Sequence, residues 1–222
     1  MPTNIAARHA EGVVIQTNKL IRNTYTLLSM TLLFSAGMAA LSMTVDLGRG
    51  TYLVSTLLAF GLIWFALPRT ANSAAGLGVV FAITGLLGFG LGPMLSMYLK
   101  LPNGAQTVMT ALGGTGAIFL GLSAYALTTR RDFSFMGGFL FVGMIVVLGA
   151  GLLNIFLAVP VLTLVISAAV ILLMSGFILH DTSRMVNGGE TNYILATVGL
   201  YLSMFNIFVN LLQLLGIAGS DD

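Results

Sequence analysis

The sequence predicts an all-α integral membrane protein with seven transmembrane helices, the last of them central. Three observations carry this prediction. The 222 residues are 57% hydrophobic and 7% charged, with a mean hydropathy of +1.00, far outside the range of soluble domains. Apolar windows long enough to cross about 30 Å of hydrocarbon recur along the chain. The last of these windows carries a stripe of polar and small residues through otherwise apolar sequence.

Residues 1–23 are polar, contain Arg8, Glu11, Lys19 and Arg22, and read as an N-terminal tail; the apolar run that follows is too long for the core of a cleaved signal peptide. Residues 24–218 form the membrane domain and residues 219–222 a short C-terminal tail. The first span is Tyr25 to Val45, closed by a turn at Asp46, Gly48, Arg49 and Gly50. The second, Thr51 to Leu67, stops at Pro68 and Arg69. The third lies within Ala74 to Leu99, where Pro93 should end or kink it because proline cannot donate the helical bond. The fourth, Ala105 to Thr128, ends at Arg130, Arg131 and Asp132. Phe133 to Leu179 holds no charge and would extend about 70 Å as helix, enough for two crossings with Pro160 at the corner. The seventh span is Tyr193 to Ile217. Small residues four apart, Ala74, Gly78 and Ala82 in the third span and Gly113, Ala117 and Gly121 in the fourth, predict faces where helices pack closely.

On the last helix, at 100° per residue, Asn206, Gln213, Gly199, Asn192, Asn210 and Ser203 fall within about 80° of one another. Hydrocarbon cannot hydrogen-bond an amide, so this stripe must face protein or water, which places the helix inside the bundle. Seven crossings put the termini on opposite sides. Arg8, Lys19, Arg22, Arg69, Arg130, Arg131 and Arg184 fall in one set of connecting segments, Arg49 and Lys100 in the other. Positive residues stay inside, so the N-terminus is expected in the cytoplasm and Asp221 and Asp222 beyond the far side.

Several functions are argued against by residue chemistry. The near balance of charges, net +2, gives no nucleic-acid footprint. There is no cysteine for a disulfide, thiolate ligand or thiol nucleophile. His9 and His180 are the two histidines and no H-E-x-x-H occurs, so a zinc protease lacks ligands. Gly88-Phe-Gly-Leu-Gly92 and Gly113-Gly-Thr-Gly116 complete neither a dinucleotide fingerprint nor a P-loop, and helix packing accounts for them. No cofactor is implied and an enzyme is not expected. Asp181 stands out because it follows the sixth span directly. It reads either as a solvated helix end with Arg184 as surface partner, or as a carboxylate at the mouth of a polar path lined by Ser203, Asn206 and Asn210. Oxygen-rich calcium sites gather several carboxylates, and here the sequence places one.

Gly90-Leu-Gly-Pro93, the run Ala111-Leu-Gly-Gly-Thr-Gly-Ala117, Ser123-Ala-Tyr125 with Arg130-Arg131, Gly137-Gly138, and Asp181-Thr182 through Asn206 and Asn210 resemble the Bax inhibitor-1 family over nearly the whole chain after the tail. Arg22-Asn-Thr-Tyr25, Gly188-Gly-Glu-Thr-Asn-Tyr193 and Phe205-Asn-Ile-Phe208 resemble its bacterial YccA branch. The resemblance implies a last helix wrapped by the other six, and two functions. Some members are pH-sensitive calcium or proton leaks gated by an aspartate pair with an arginine nearby. Asp181 matches the first aspartate, Arg69 is the candidate arginine, and Ser203 stands where the second aspartate would fall. Serine cannot share a proton between like charges, so the pair mechanism does not carry over. The YccA branch is instead implied to bind and restrain FtsH, a membrane-anchored AAA protease of the bacterial inner membrane, with residues 1–23 as the reachable contact and the C-terminus in the periplasm.

Overall fold

The computed structural model describes residues 3–45, 48 and 50–218, with side chains from Ile15 to Ile217. Seven helices are long and apolar enough to cross a membrane: α1 (Thr3–Val45), α2 (Gly50–Thr70), α3 (Ala75–Leu99), α4 (Gly104–Thr129), α5 (Met136–Leu157), α6 (Pro160–Val186) and α7 (Tyr193–Ala218). No strand occurs among the described residues. The expected spans are all present, and their ends differ for identifiable reasons. The helix of α1 begins at Thr3, so residues 3–23 continue the first span as helix. The expected turn residues Asp46 and Arg49 and residues 219–222 lie outside the described residues.

Proline acts less sharply than the sequence suggests. In α2 one π turn, Leu62–Ala66, precedes Pro68, and the Leu67 N–H reaches back to the Leu62 carbonyl. This wider turn eases the proline ring past the preceding carbonyls, and the helix reaches Thr70 instead of stopping at Pro68. In α3 the helix likewise runs through Pro93 to Leu99. Pro160 does form the expected corner: Ala158 is left-handed, Val159 extended, and Pro160 occupies the first turn of α6, where its missing N–H costs nothing. Asn154 clasps this corner, its amide donating to Thr163 Oγ1 at 2.7 Å and its carbonyl accepting from the Val159 N–H at 3.1 Å.

The core is built on α3 and α7, which bury 56% of their apolar windows. Helix α3 lies against α1 through glycines. The Phe34 ring covers Gly85, the Ser35 backbone lies directly on Gly88, and the Ser42 side chain lies on Gly92. The stripes expected to pack do not: Gly78, Gly113 and Gly121 have nothing near a would-be Cβ, and Ala74, Ala82 and Ala117 are exposed. Lipid-facing and packed faces are both apolar, so small-residue spacing alone does not say which neighbour a face meets.

Helix α7 is central to a smaller ring than expected. It packs on α1, α3, α4 and α6, whereas α2 packs on α3 and α5 on α6, with neither reaching α7. The wrapping by six helices is therefore corrected to four. Helix α5 shows why: with hydropathy 2.5 and only 6% of its window buried, it is satisfied by lipid on nearly every side and needs one neighbour.

Candidate functional site

The chain gathers its polar chemistry where α6 ends and α7 begins. Helix α6 stays helical through His180, Asp181 and Arg184 to Val186, so these residues occupy its last turns rather than a loop beyond it. The helix closes through the Arg184 carbonyl, which accepts from the N–H groups of Gly189 and Glu190 at 2.8 and 3.1 Å, with Gly188 in the left-handed region that glycine adopts freely. The Glu190 carboxylate then accepts from the N–H groups of Thr191 and Asn192 at 2.9 and 2.8 Å. Asn192 completes the turn. Its carbonyl oxygen caps α7 by accepting from Ile194 and Leu195, and its amide crosses to the Ala71 carbonyl at 3.0 Å and Asn72 Oδ1 at 2.8 Å.

Other contacts bring further basic segments to the same end. Ser183, fully buried, donates to the Arg131 carbonyl and accepts from the Phe133 N–H, both at 2.9 Å. The Thr197 hydroxyl lies 3.3 Å from the Thr24 carbonyl, two residues beyond Arg22. Arg22, Arg69, Arg131 and Arg184 thus share one end of the bundle. Beside them Asp132 is exposed, and hydrogen bonds from the Ser134 hydroxyl and N–H hold its carboxyl below the usual carboxylate range.

A cavity of about 190 Å³ opens here, lined by Asp181, Arg184, Glu190, Leu195, Ala196 and Gly199. Asp181 Oδ1 lies 3.0 Å from His180 Nδ1, and both side chains are largely shielded. Its other oxygen rests against the Cα of Gly199, where an added Cβ would approach Oδ2 to 2.9 Å. Arg184 donates to the Gly189 carbonyl at 2.8 Å and pairs loosely with Glu190 Oε2 at 3.9 Å. Two carboxylates and one guanidinium therefore face one small space, which suits a proton or a cation that competes with the arginine. Among the described residues no group of three or more His, Asp or Glu side chains is arranged to hold a metal ion.

Of the pore candidates and stripe residues singled out from sequence, Asp181, Arg184 and Gly199 line this cavity and Arg69, Ser203, Asn206, Asn210 and Gln213 do not. Arg69 folds back onto the Phe65 carbonyl of its own helix. Ser203 is buried one turn beyond Gly199. Asn206 and Asn210 donate to the Leu202 and Asn206 carbonyls, each at 2.8 Å, and Gln213 accepts from Ser167 of α6 at 3.1 Å. Much of the stripe is thus satisfied within the protein. Glu190, on the wall of the cavity, stood in the Gly188–Tyr193 run that carries the family resemblance, but it was not named as a site residue. Tyr201 gave no signal, being an aromatic residue in an apolar run; buried, it shares a 2.6 Å hydrogen bond with Ser35 and donates to the Thr84 carbonyl at 3.2 Å, tying α7 to α1 and α3.

The family model described as "Inhibitor of apoptosis-promoting Bax1" matches residues 17–220. The chain belongs to the Bax inhibitor-1 family. Among its relatives in that family, a Vibrio cholerae protein named only as an uncharacterised membrane protein is 50% identical over 94% of this chain and 93% of its own length. An Escherichia coli protein named "Modulator of FtsH protease YccA" is 48% identical, with 98% of each chain covered, and its counterpart in another E. coli strain is named "Inner membrane protein YccA" at the same identity and coverage. The match to the Bax inhibitor-1 model takes in α1 from residue 17 on, the other six helices and the whole of the Asp181 cavity, so the site lies within the family's own fold.

Proposed function

We propose that this chain resides in the bacterial inner membrane and binds and restrains the FtsH protease. The observation that carries the reading is near full-length similarity to a protein named as a modulator of that protease. The seven spans, with the basic connections collected at one end, support a cytoplasmic N-terminus and a periplasmic C-terminus. The chain acts by contact and not by bond chemistry. Residues 1–23 are the proposed contact: they precede the bulk of the first span, and Lys19 and Arg22 near its start are exposed. A pull-down from detergent-solubilised membranes should recover FtsH with the full chain and lose it on deletion of the first 20 or so residues, and overexpression should slow turnover of an FtsH membrane substrate. Recovery of no FtsH together with unchanged turnover would overturn the reading.

A second reading rests on the Asp181 cavity. Paired by one hydrogen-bond distance to His180, pressed on Gly199 and facing Arg184 and Glu190, Asp181 is situated to gate a proton or calcium leak. Liposomes carrying purified protein, compared with Asp181→Asn from about pH 6 to 8, discriminate the two. A pH-dependent flux altered in the variant makes the leak primary; flux no greater than in empty liposomes for either protein rejects it.

A further inference from the structure

A crevice of about 410 Å³ lies between α1 and α4, with α3 and α7 as its back wall. At one level the two helices touch through the rings of Tyr25 and Phe119, 5.8 Å apart, but their backbones do not pack together. Toward the α1–α2 and α3–α4 turns the space between them stays open. Ala36 and Ala40 on one lip and Leu112 on the other are exposed, so the mouth faces sideways into the bilayer, while Leu91 and Phe208 lie buried at the back.

The chemistry of the wall decides the occupant. No charged residue lines the crevice, and its hydroxyls are already used: Thr115 donates to the Ala111 carbonyl at 2.7 Å, and Ser35 and Tyr201 bond each other, with Tyr201 also bonding the Thr84 carbonyl. Water needs two to four polar partners to stay in a cavity, and here the three hydroxyls have already donated their protons, leaving it only scattered acceptor lone pairs on an otherwise apolar wall. A flexible hydrocarbon chain fits both shape and chemistry, and the mouth opens on a solvent made of such chains. We propose that the crevice binds one acyl chain of a bilayer phospholipid, drawn from the leaflet beside the α1–α2 and α3–α4 turns, and that this chain completes the packing between α1 and α4 beside Tyr201.

The test uses the full chain in phosphatidylethanolamine and phosphatidylglycerol vesicles, with a photoreactive diazirine on a phospholipid acyl chain, followed by peptide mapping. Phe205 and Phe208 at the back wall should label as strongly as lipid-facing Leu152 and Phe156 on α5. Gly116 lines the crevice and has nothing near a would-be Cβ, so Gly116→Leu starts a larger side chain in open space on the crevice wall; Ala36→Phe fills it from the lip. Either variant should bring back-wall labelling down toward that of the buried core, because the added side chain occupies the room the acyl chain would take; apolar area itself gives no preference between crevice and bilayer hydrocarbon. Labelling on α5 should be unchanged, and thermal unfolding in detergent checks that the variants have folded. Back-wall residues unlabelled in the unmodified protein while α5 labels, or labelled equally in both filled variants, would overturn the proposal.

Discussion

Replacing Gly88 with alanine lowers the stability of the folded bundle by about 1–3 kcal/mol, the range for forcing extra atoms into a packed interface. The new Cβ would overlap the Ser35 carbonyl oxygen and its carbon, which are backbone atoms and cannot rotate away. Helices α1 and α3 must then separate along the face where Gly85, Gly88 and Gly92 allow them to touch, and the Ser35–Tyr201 hydrogen bond on the same helix face is disturbed with them. Alanine gains up to about 1 kcal/mol over glycine as a helix former, which offsets only part of the loss. Gly113→Ala and Gly121→Ala are the matched controls: neither Cβ meets anything within 4 Å, so both variants should be neutral or slightly stabilised. Thermal unfolding in detergent, followed by circular dichroism, measures all three. Equal stability of Gly88→Ala and the parent, or an equal loss in Gly113→Ala, would show that the glycine face of α3 does not hold α1.

Asn192→Ala should cost about 2 kcal/mol, because one side chain does two jobs. Its carbonyl oxygen caps α7, and its amide ties the α6–α7 turn to the α2–α3 turn through Ala71 and Asn72. Asn192→Ser separates the two. Serine caps a helix about as well as asparagine but is too short to reach Ala71, so it should restore the capping share, about half of the loss. The same unfolding measurement decides it. If serine restores nothing, the cap contributes little and the crossing to Ala71 carries the effect; if alanine itself is neutral, the turn is held by the Arg184 and Glu190 contacts alone. Glu190 and Arg184 stand on the wall of the Asp181 cavity, so loosening this turn also alters the shape of the candidate site.

The number, order and approximate limits of the spans were legible before any coordinates. A bilayer imposes a length and a polarity on every crossing, and both are properties of a stretch of sequence. The Pro160 corner was legible too, since proline is favoured at the first turn of a helix. Pro68 was misread as a stop because a proline's effect depends on what accommodates its ring, here a π turn in α2; of the two outcomes expected at Pro93, an end to the helix is ruled out, since α3 runs on to Leu99. The site was legible in part. Asp181 and Arg184 attracted notice as charges at the end of an apolar run, and the cavity includes both. Arg69 was grouped with them by sequence likeness, yet its guanidinium reaches only its own helix. The amides of Asn206 and Asn210 read as the lining of a path, while each bonds a carbonyl one turn back.

What the sequence by itself determined is the passage through the membrane: seven apolar helices, the polar stripe on the last, and the gathering of basic residues in alternate connections. What only the tertiary structure decided is which faces meet. It selected Gly85, Gly88 and Gly92 over the small residues four apart elsewhere on α3 and on α4, surrounded α7 with four helices instead of six, brought Glu190 across from Arg184, and left a crevice between α1 and α4. The physical reason is that inside a bilayer the packed face and the lipid-facing face of a helix are both apolar. Hydropathy therefore marks each span without marking its partner, and the choice falls to shape, close backbone approach and the few hydrogen bonds that cross between helices.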